Sequence, residues 1–112
     1  YPSLLKEIKD PPPVIYCKGN LDLLYDKIVC IIGTREPNET AIKISERIGV
    51  FYANSRWTIC NGLAEGVDNF SIKSNDQIHS NVIGILAGGL NYNTKKTLLK
   101  KTAENAEKTI ES

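Results

Sequence analysis

The residues able to do chemistry gather at the ends of three apolar runs. Ile28 to Ile32 stops at Gly33, Thr34 and Arg35; Trp57 to Cys60 stops at Asn61 and Gly62, with Gly66 close behind; Val82 to Leu86 stops at Ala87, Gly88 and Gly89. Glycine at a strand end permits positive φ and lets backbone N–H groups come close to a ligand. Arg35 adds a fixed cation at the first of these ends. A helix N-terminus after each turn would add exposed N–H donors and a positive dipole end, which together favour an anion such as phosphate. Tight turns also use glycine for geometry alone, so a purely structural role for the three turns stays open.

Charge placement adds to this. Lys95, Lys96, Lys100 and Lys101 crowd the start of the last predicted helix, and Glu104, Glu107 and Glu111 crowd its end. That is the reverse of what the helix macrodipole prefers, and Lys100 with Glu104 forms the weaker orientation of an i,i+4 pair. Either a solvated face tolerates the cost, about a few tenths of a kcal/mol per charge, or the lysines extend positive potential along the edge that carries Arg35. Both stand at this point.

Nothing in the chain arranges for catalysis. There is no GxxxxGK[ST] loop and no GxGxxG fingerprint. Ser71, Asp76 and His79 do not form a triad arrangement. Glu65 and Asp68 flank Gly66 near a helix start, where the dipole favours carboxylates without any reaction. No catalytic residue, cofactor or metal is therefore assigned. Cys17, Cys30 and Cys60 share no metal-like spacing, and an odd count makes a poor disulfide framework. Cys30 and Cys60 lie inside apolar runs, which is expected of small buried residues in a reducing compartment. No apolar run approaches the ~20 residues needed to cross a bilayer, and no signal-peptide pattern is present. The expected location is cytoplasmic.

The elements that must position these residues follow from periodicity. The 112 residues suffice for a single core. With 14 basic against 13 acidic side chains, net charge gives no global argument for a polyanionic partner. Leu4, Leu5 and Ile8 at helical spacing predict a short helix stopped by Pro11 to Pro13. Val14 to Lys18 reads as a strand, and Asn20 as the cap of a short helix through Asp26. The run from Ile28 is short, continuous and β-branched, which predicts a strand buried on both faces. A helix over 38–55 is predicted with Ala41, Ile44, Ile48, Phe51 and Tyr52 inward and Lys43, Glu46, Arg47 and Asn54 outward. A strand at Trp57 to Cys60, a helix from Ala64 or Glu65 to about Ser74, a strand at Val82 to Leu86 and a helix over about 94–107 complete the series. Leu98, Leu99, Thr102, Ala103 and Ala106 are expected on that last helix's inner face. Strands alternating with helices make βαβ units with right-handed crossovers. The fold class is α/β with a mostly parallel sheet, so the three glycine-bearing strand ends share one edge, where ligands of such sheets sit.

At these residues the sequence resembles the DNA-processing protein A (Smf) family. YPSLLKEIKDPPPVIYCKGNLDLL is similar to the family's opening, with its Tyr-Pro start, Asp-Pro-Pro run and short strand ending in Gly. IIGTR resembles its hydrophobic-Val-Gly-Ser/Thr-Arg turn, NGLAEGVD its Ser-Gly-Leu-Ala-x-Gly-Ile-Asp signature, and IGILAGGLN its third strand and Gly-Leu-Asp turn. The resemblance implies a Rossmann-like three-layer fold, with residues 1–26 as an N-terminal extension and 27–112 as a βαβαβα core. It implies binding of single-stranded DNA in a basic pocket at the strand ends, and loading of a RecA-type recombinase onto that DNA in natural transformation. Homodimers would fit the same picture. By position, Arg35 would contact a phosphate and Gly33 and Thr34 would shape the turn. Gly62, Leu63, Ala64, Gly66 and Asp68 would form the second loop, Gly88 and Gly89 the third, and Lys95 or Lys96 the basic residues after it. The chain departs from the family at Phe70 to Lys73, where Ala-His is expected, and at NYNTKK after the third turn. It stops at Ile110-Glu111-Ser112, about where the family's next strand begins, so it matches the N-terminal part of that domain in apparently truncated form.

Two other functions share the scaffold. A nucleotide binder, or an enzyme like the cytokinin-activating phosphoribohydrolases, would place similar glycine turns at strand ends. AGGLNYN, however, lacks the Thr and Glu of those enzymes' Pro-Gly-Gly-x-Gly-Thr stretch. A structural or oligomerisation unit would pair an exposed sheet edge with another chain. For DNA binding, charge and backbone amides would dominate. Base stacking is expected to be a minor term, because Tyr92 is the only aromatic close to the glycine turns.

Overall fold

The computed structural model describes residues 1–73 and 81–86. In chain order these form α1 (Ser3–Lys6), a 3₁₀ turn (Leu21–Tyr25), β1 (Ile28–Cys30), α2 (Glu39–Asn54), β2 (Thr58–Asn61), α3 (Val67–Ile72) and β3 (Val82–Gly84). The predicted helix over 94–107 and the third glycine turn lie outside the described residues.

The strands form one parallel sheet in the order β1-β2-β3. Ile28 pairs in register with Thr58, and Cys30 with Cys60; Ile59 pairs with Val82, and Asn61 with Gly84. All three C-terminal ends therefore reach the same edge of the sheet.

The middle strand is not the one the sequence pattern favours. All four residues of β2 are buried, whereas in β1 only Val29 is even partly covered. Ile32, just past β1, is 73% exposed, and Cys30 is exposed rather than buried. A run of β-branched residues reports strand propensity, but its burial depends on position in the sheet. Among the described strands β1 lies at the edge.

α2 begins where its cap predicts. The Asn38 side chain accepts a hydrogen bond from the Ala41 N–H at 2.9 Å and so satisfies one of the helix's free donors. Its inward face differs from the periodicity. Ser45, Gly49 and Ala53 are buried, while Ile44, Ile48 and Phe51 are exposed. The cause is close approach to α3. A Cβ on Gly49 would run into the Ser71 carbonyl, and the hydroxyl of Ser45 folds back to donate to the Ala41 carbonyl at 2.7 Å. Small residues set the distance between the helices, and the larger apolar ones are left on the outer side.

Among the described residues two clusters make the core. Ile31, Ala53 and Ile59 pack with Val29, Tyr52, Val67 and Ile72; Leu63 and Val82 pack with Ile72 and Leu86. Ile72 belongs to both and joins them. Tyr52 meets Trp57 edge to face at 5.7 Å between ring centroids, closing the turn from α2 into β2.

The N-terminal segment is more irregular than predicted. α1 spans only four residues and leaves Leu4 and Ile8 exposed. Val14 to Lys18 enters no strand ladder among the described residues, and Tyr16 faces solvent. Asn20 does cap the 3₁₀ turn, accepting from the Asp22 N–H at 3.0 Å.

Candidate nucleic-acid interface

The first and second strand-end turns meet through their backbones. Gly66 has φ +85°, the left-handed region that side chains disfavour. A Cβ there would strike the Thr34 carbonyl and stand 2.6 Å from the Arg35 Cα. The Val67 N–H next to it donates to the Thr34 carbonyl at 3.0 Å. On the other side of this contact, a Cβ on Gly33 would lie 2.7 Å from a Val67 methyl. The two glycines thus have a shared use. They let the segments 33–35 and 66–67 lie flat on each other, and that contact fixes where Arg35 starts. Thr34 then shapes the turn onward, its hydroxyl accepting from the Glu36 N–H at 3.2 Å.

The second loop is held from below by buried polar groups. The Asn61 carboxamide accepts from the Leu63 N–H at 2.8 Å and donates to the Asp68 carbonyl and the Ser71 hydroxyl. The Asp68 carboxylate accepts from the Gly62 N–H at 3.0 Å, and the Ser71 hydroxyl donates to the Asp68 carbonyl. Asn61, Asp68 and Ser71 are all nearly inaccessible to water, Asp68 at 6% exposure. Asp68 therefore faces the loop backbone and positions it, rather than presenting a carboxylate to an anion. Leu63 reaches φ +59° and buries its side chain over Gly84 of β3, so the loop is pinned into the core.

Above this base lies an open crevice of ≈ 360 Å³. The first turn supplies Arg35, Glu36 and Pro37, α2 supplies Ile42, the second loop supplies Glu65 and Gly66, and α3 supplies Asn69 and Phe70. Of the residues singled out in the sequence, the structure brings Arg35 and Gly66 to the crevice. It places Gly33, Thr34, Gly62, Leu63 and Asp68 in its frame. Ala64 is half-buried in the same loop. Gly88, Gly89, Lys95 and Lys96 lie outside the described residues.

Phe70, Asn69, Glu36 and Glu65, given no binding role from the sequence, also line the crevice. The signal was present, because Gly66 opens α3 and the first turn of that helix had to border the same edge. The electrostatics also differ from the expectation of a basic pocket. Among the described lining residues one guanidinium stands with two carboxylates. α3 is six residues long, so its dipole adds little to the field.

The geometry has counterparts. A family model for DNA recombination-mediator protein A matches residues 1–110. The chain belongs to this family. Within it, the chain is 33% identical over 93 residues to DNA processing protein DprA of Bacillus subtilis, covering 82% of this chain and 31% of that protein. It is 36% identical over 94 residues to protein Smf of Synechocystis, covering 80% of this chain and 24% of the relative. Among solved structures, DprA from Streptococcus pneumoniae superposes with a TM-score of 0.77 at 28% identity, over 93% of this chain and 36% of that one. DprA from Helicobacter pylori, whose structure addresses its mode of binding single-stranded DNA, superposes with a TM-score of 0.78 at 24% identity, over 98% of this chain and 48% of that one. The Rossmann-like α/β fold follows from these matches. The chain spans a third or less of the length of the curated relatives it matches. No helix among the described residues is long and apolar enough to cross a membrane.

Proposed function

We propose that this chain carries the strand-end portion of a single-stranded-DNA site and binds the DNA backbone without chemistry on it. One observation supports this most. Gly66 packs against Thr34 where Arg35 starts, and Arg35 lines an open crevice at the strand ends in a chain of the DNA recombination-mediator protein A family. A guanidinium holds a phosphate through paired hydrogen bonds and does not depend on base identity. Gly88, Gly89 and Lys95 or Lys96 follow the third strand in sequence and would extend the site along the strand. We propose one domain over 1–112, with 1–26 as an extension of the 27–112 core. It would work in the cytoplasm, on incoming DNA, delivering it to a RecA-type recombinase and acting with a second copy of itself.

The test is fluorescence anisotropy of a labelled single-stranded oligonucleotide across a salt series. Each phosphate contact to a single strand contributes about 0.7 to the slope of log K against log salt. Arg35→Ala should weaken binding and flatten the slope by about that amount. Binding that ignores salt, or that survives Arg35→Ala unchanged, rules the proposal out. A thermal-shift titration with mononucleotides separates a free-nucleotide site, because a specific ligand raises the melting temperature by mass action.

A further inference from the structure

Phosphate recognition leaves unused the one aromatic group among the described residues that line the crevice. Phe70 is a half-buried aromatic side chain on α3 that borders the same space as Arg35. Among the described residues it belongs to neither hydrophobic core cluster. The Lys73 ammonium stands over it, 5.5 Å from the ring centroid, a cation–π arrangement that restrains the ring and keeps a second positive charge beside it. An aromatic ring in a crevice that Arg35 also lines, with Lys73 over it, adds nothing for an isolated phosphate, because the anion gains nothing from the apolar face. It suits a nucleotide unit, which offers a phosphate to the cations and a flat π-face to the ring. Every base has such a face, so stacking adds affinity without sequence preference.

We propose that Phe70 is a stacking platform for an unpaired nucleobase of the strand whose phosphate Arg35 holds. This rests on the DNA-binding proposal and adds to it that bases, as well as the backbone, are bound. It reverses the expectation that stacking is minor. That expectation considered Tyr92 alone, and the fold turns a different aromatic toward the strand ends.

The deciding experiment compares two labelled strands of equal length and charge, an oligothymidylate and its abasic tetrahydrofuran counterpart, against the full chain. The expected result is about fivefold to tenfold tighter binding of the base-bearing strand, the lower part of the range for one aromatic stack. Phe70→Leu should lower affinity for the oligothymidylate to the abasic level, and Phe70→Tyr should keep the preference. Equal affinities of the unmutated chain for both strands overturn the proposal, and that comparison requires no variant to fold. A Phe70→Leu chain that still prefers bases overturns it as well. If neither strand binds, the DNA-binding proposal itself has failed and this one falls with it.

Discussion

Gly66 lies against Thr34 so closely that the carbonyl of one occupies the space a side chain of the other would need. Gly66 also holds φ +85°, so an added methyl meets both a backbone penalty and a collision. Gly19 separates the two effects. Its φ is +110°, yet a Cβ there would meet nothing within 4 Å. Gly19→Ala should therefore cost the conformational part alone, about 1 kcal/mol. Gly66→Ala should cost about 2–3 kcal/mol or more, since overpacking against backbone adds to the strain. Chemical denaturation of the two variants measures the difference. Equal losses would mean that the contact between the turns carries no energy.

The Asn61 side chain closes three hydrogen bonds in a region without water access. Replacing it by Ala removes all three of these buried hydrogen bonds, at about 1–3 kcal/mol. Asp68→Asn keeps the shape but can turn an NH₂ group toward the Gly62 N–H, so it should lose a comparable amount. Both variants should also weaken DNA binding beyond their loss of stability, because the loop they hold frames the crevice. Denaturation and anisotropy on the same samples check this. Full binding by a destabilised Asn61→Ala chain would show that the loop's shape is immaterial to the site.

On α2 the small residue matters and the large ones do not. Gly49→Ala must displace the Ser71 backbone, which should cost about 1–3 kcal/mol. That exceeds the helix propensity that alanine contributes, about 1 kcal/mol. Ile44→Ser and Phe51→Ser alter exposed positions, Phe51 at 62% exposure, and should stay within about 0.5 kcal/mol. Thermal unfolding of the three variants reads the order directly.

This helix also shows what a sequence can and cannot convey. Its start was legible, because Asn38 is a capping residue and capping is local. Its inward face was not, because hydrophobic periodicity assumes that the largest apolar side chains are buried. Contact with α3 through Gly49 and Ser45 reverses that assumption, and nothing local to α2 announces how near α3 will come. β1 misled for the same reason, since a β-branched run does not reveal its place in the sheet. That Gly33, Arg35 and Gly66 share one sheet edge was legible, because each follows an apolar run and the strands of such a sheet run parallel. The place of Phe70 at the crevice that Arg35 lines was not, because it depends on the contact between two turns more than 30 residues apart.

The thiols should divide by burial. Cys17 and Cys30 are exposed and Cys60 is buried. Burial, and then the neighbouring Cys30 thiol, pushes Cys60 from an ordinary 9.0 up to about 12. Thiolate is the reactive form, so near pH 8 a disulfide reagent should modify Cys17 and Cys30 quickly and Cys60 only after denaturation. The same shift bears on stability. Below pH 9 the thiol is protonated whether the chain is folded or not, and it adds no pH dependence. Between 9 and about 12 the unfolded thiol ionises while the folded one stays neutral. Unfolding then releases a proton, and stability falls as pH rises through that window. Cys60→Ala should lose this alkaline slope in denaturation curves taken across the window. A slope unchanged by the substitution would assign it to other groups.

Glu36 and Glu65 share the crevice with Arg35, and like charge opposes a phosphate wherever it stands near one. If backbone recognition dominates, Glu65→Gln removes a repulsion without altering size or shape. DNA affinity should rise by about twofold to fivefold at low salt, the range of one partly screened surface interaction. The gain should shrink as salt is raised, because screening weakens the repulsion first. Glu36→Gln should act in the same direction, and the two together should approach the sum if each carboxylate acts on the strand independently. A loss of affinity in Glu65→Gln would carry a different meaning. It would make the carboxylate an acceptor for a base amino group, so the loss should be larger on oligodeoxycytidylate than on oligothymidylate. Anisotropy on the two homopolymers separates charge repulsion from a direct contact to the base.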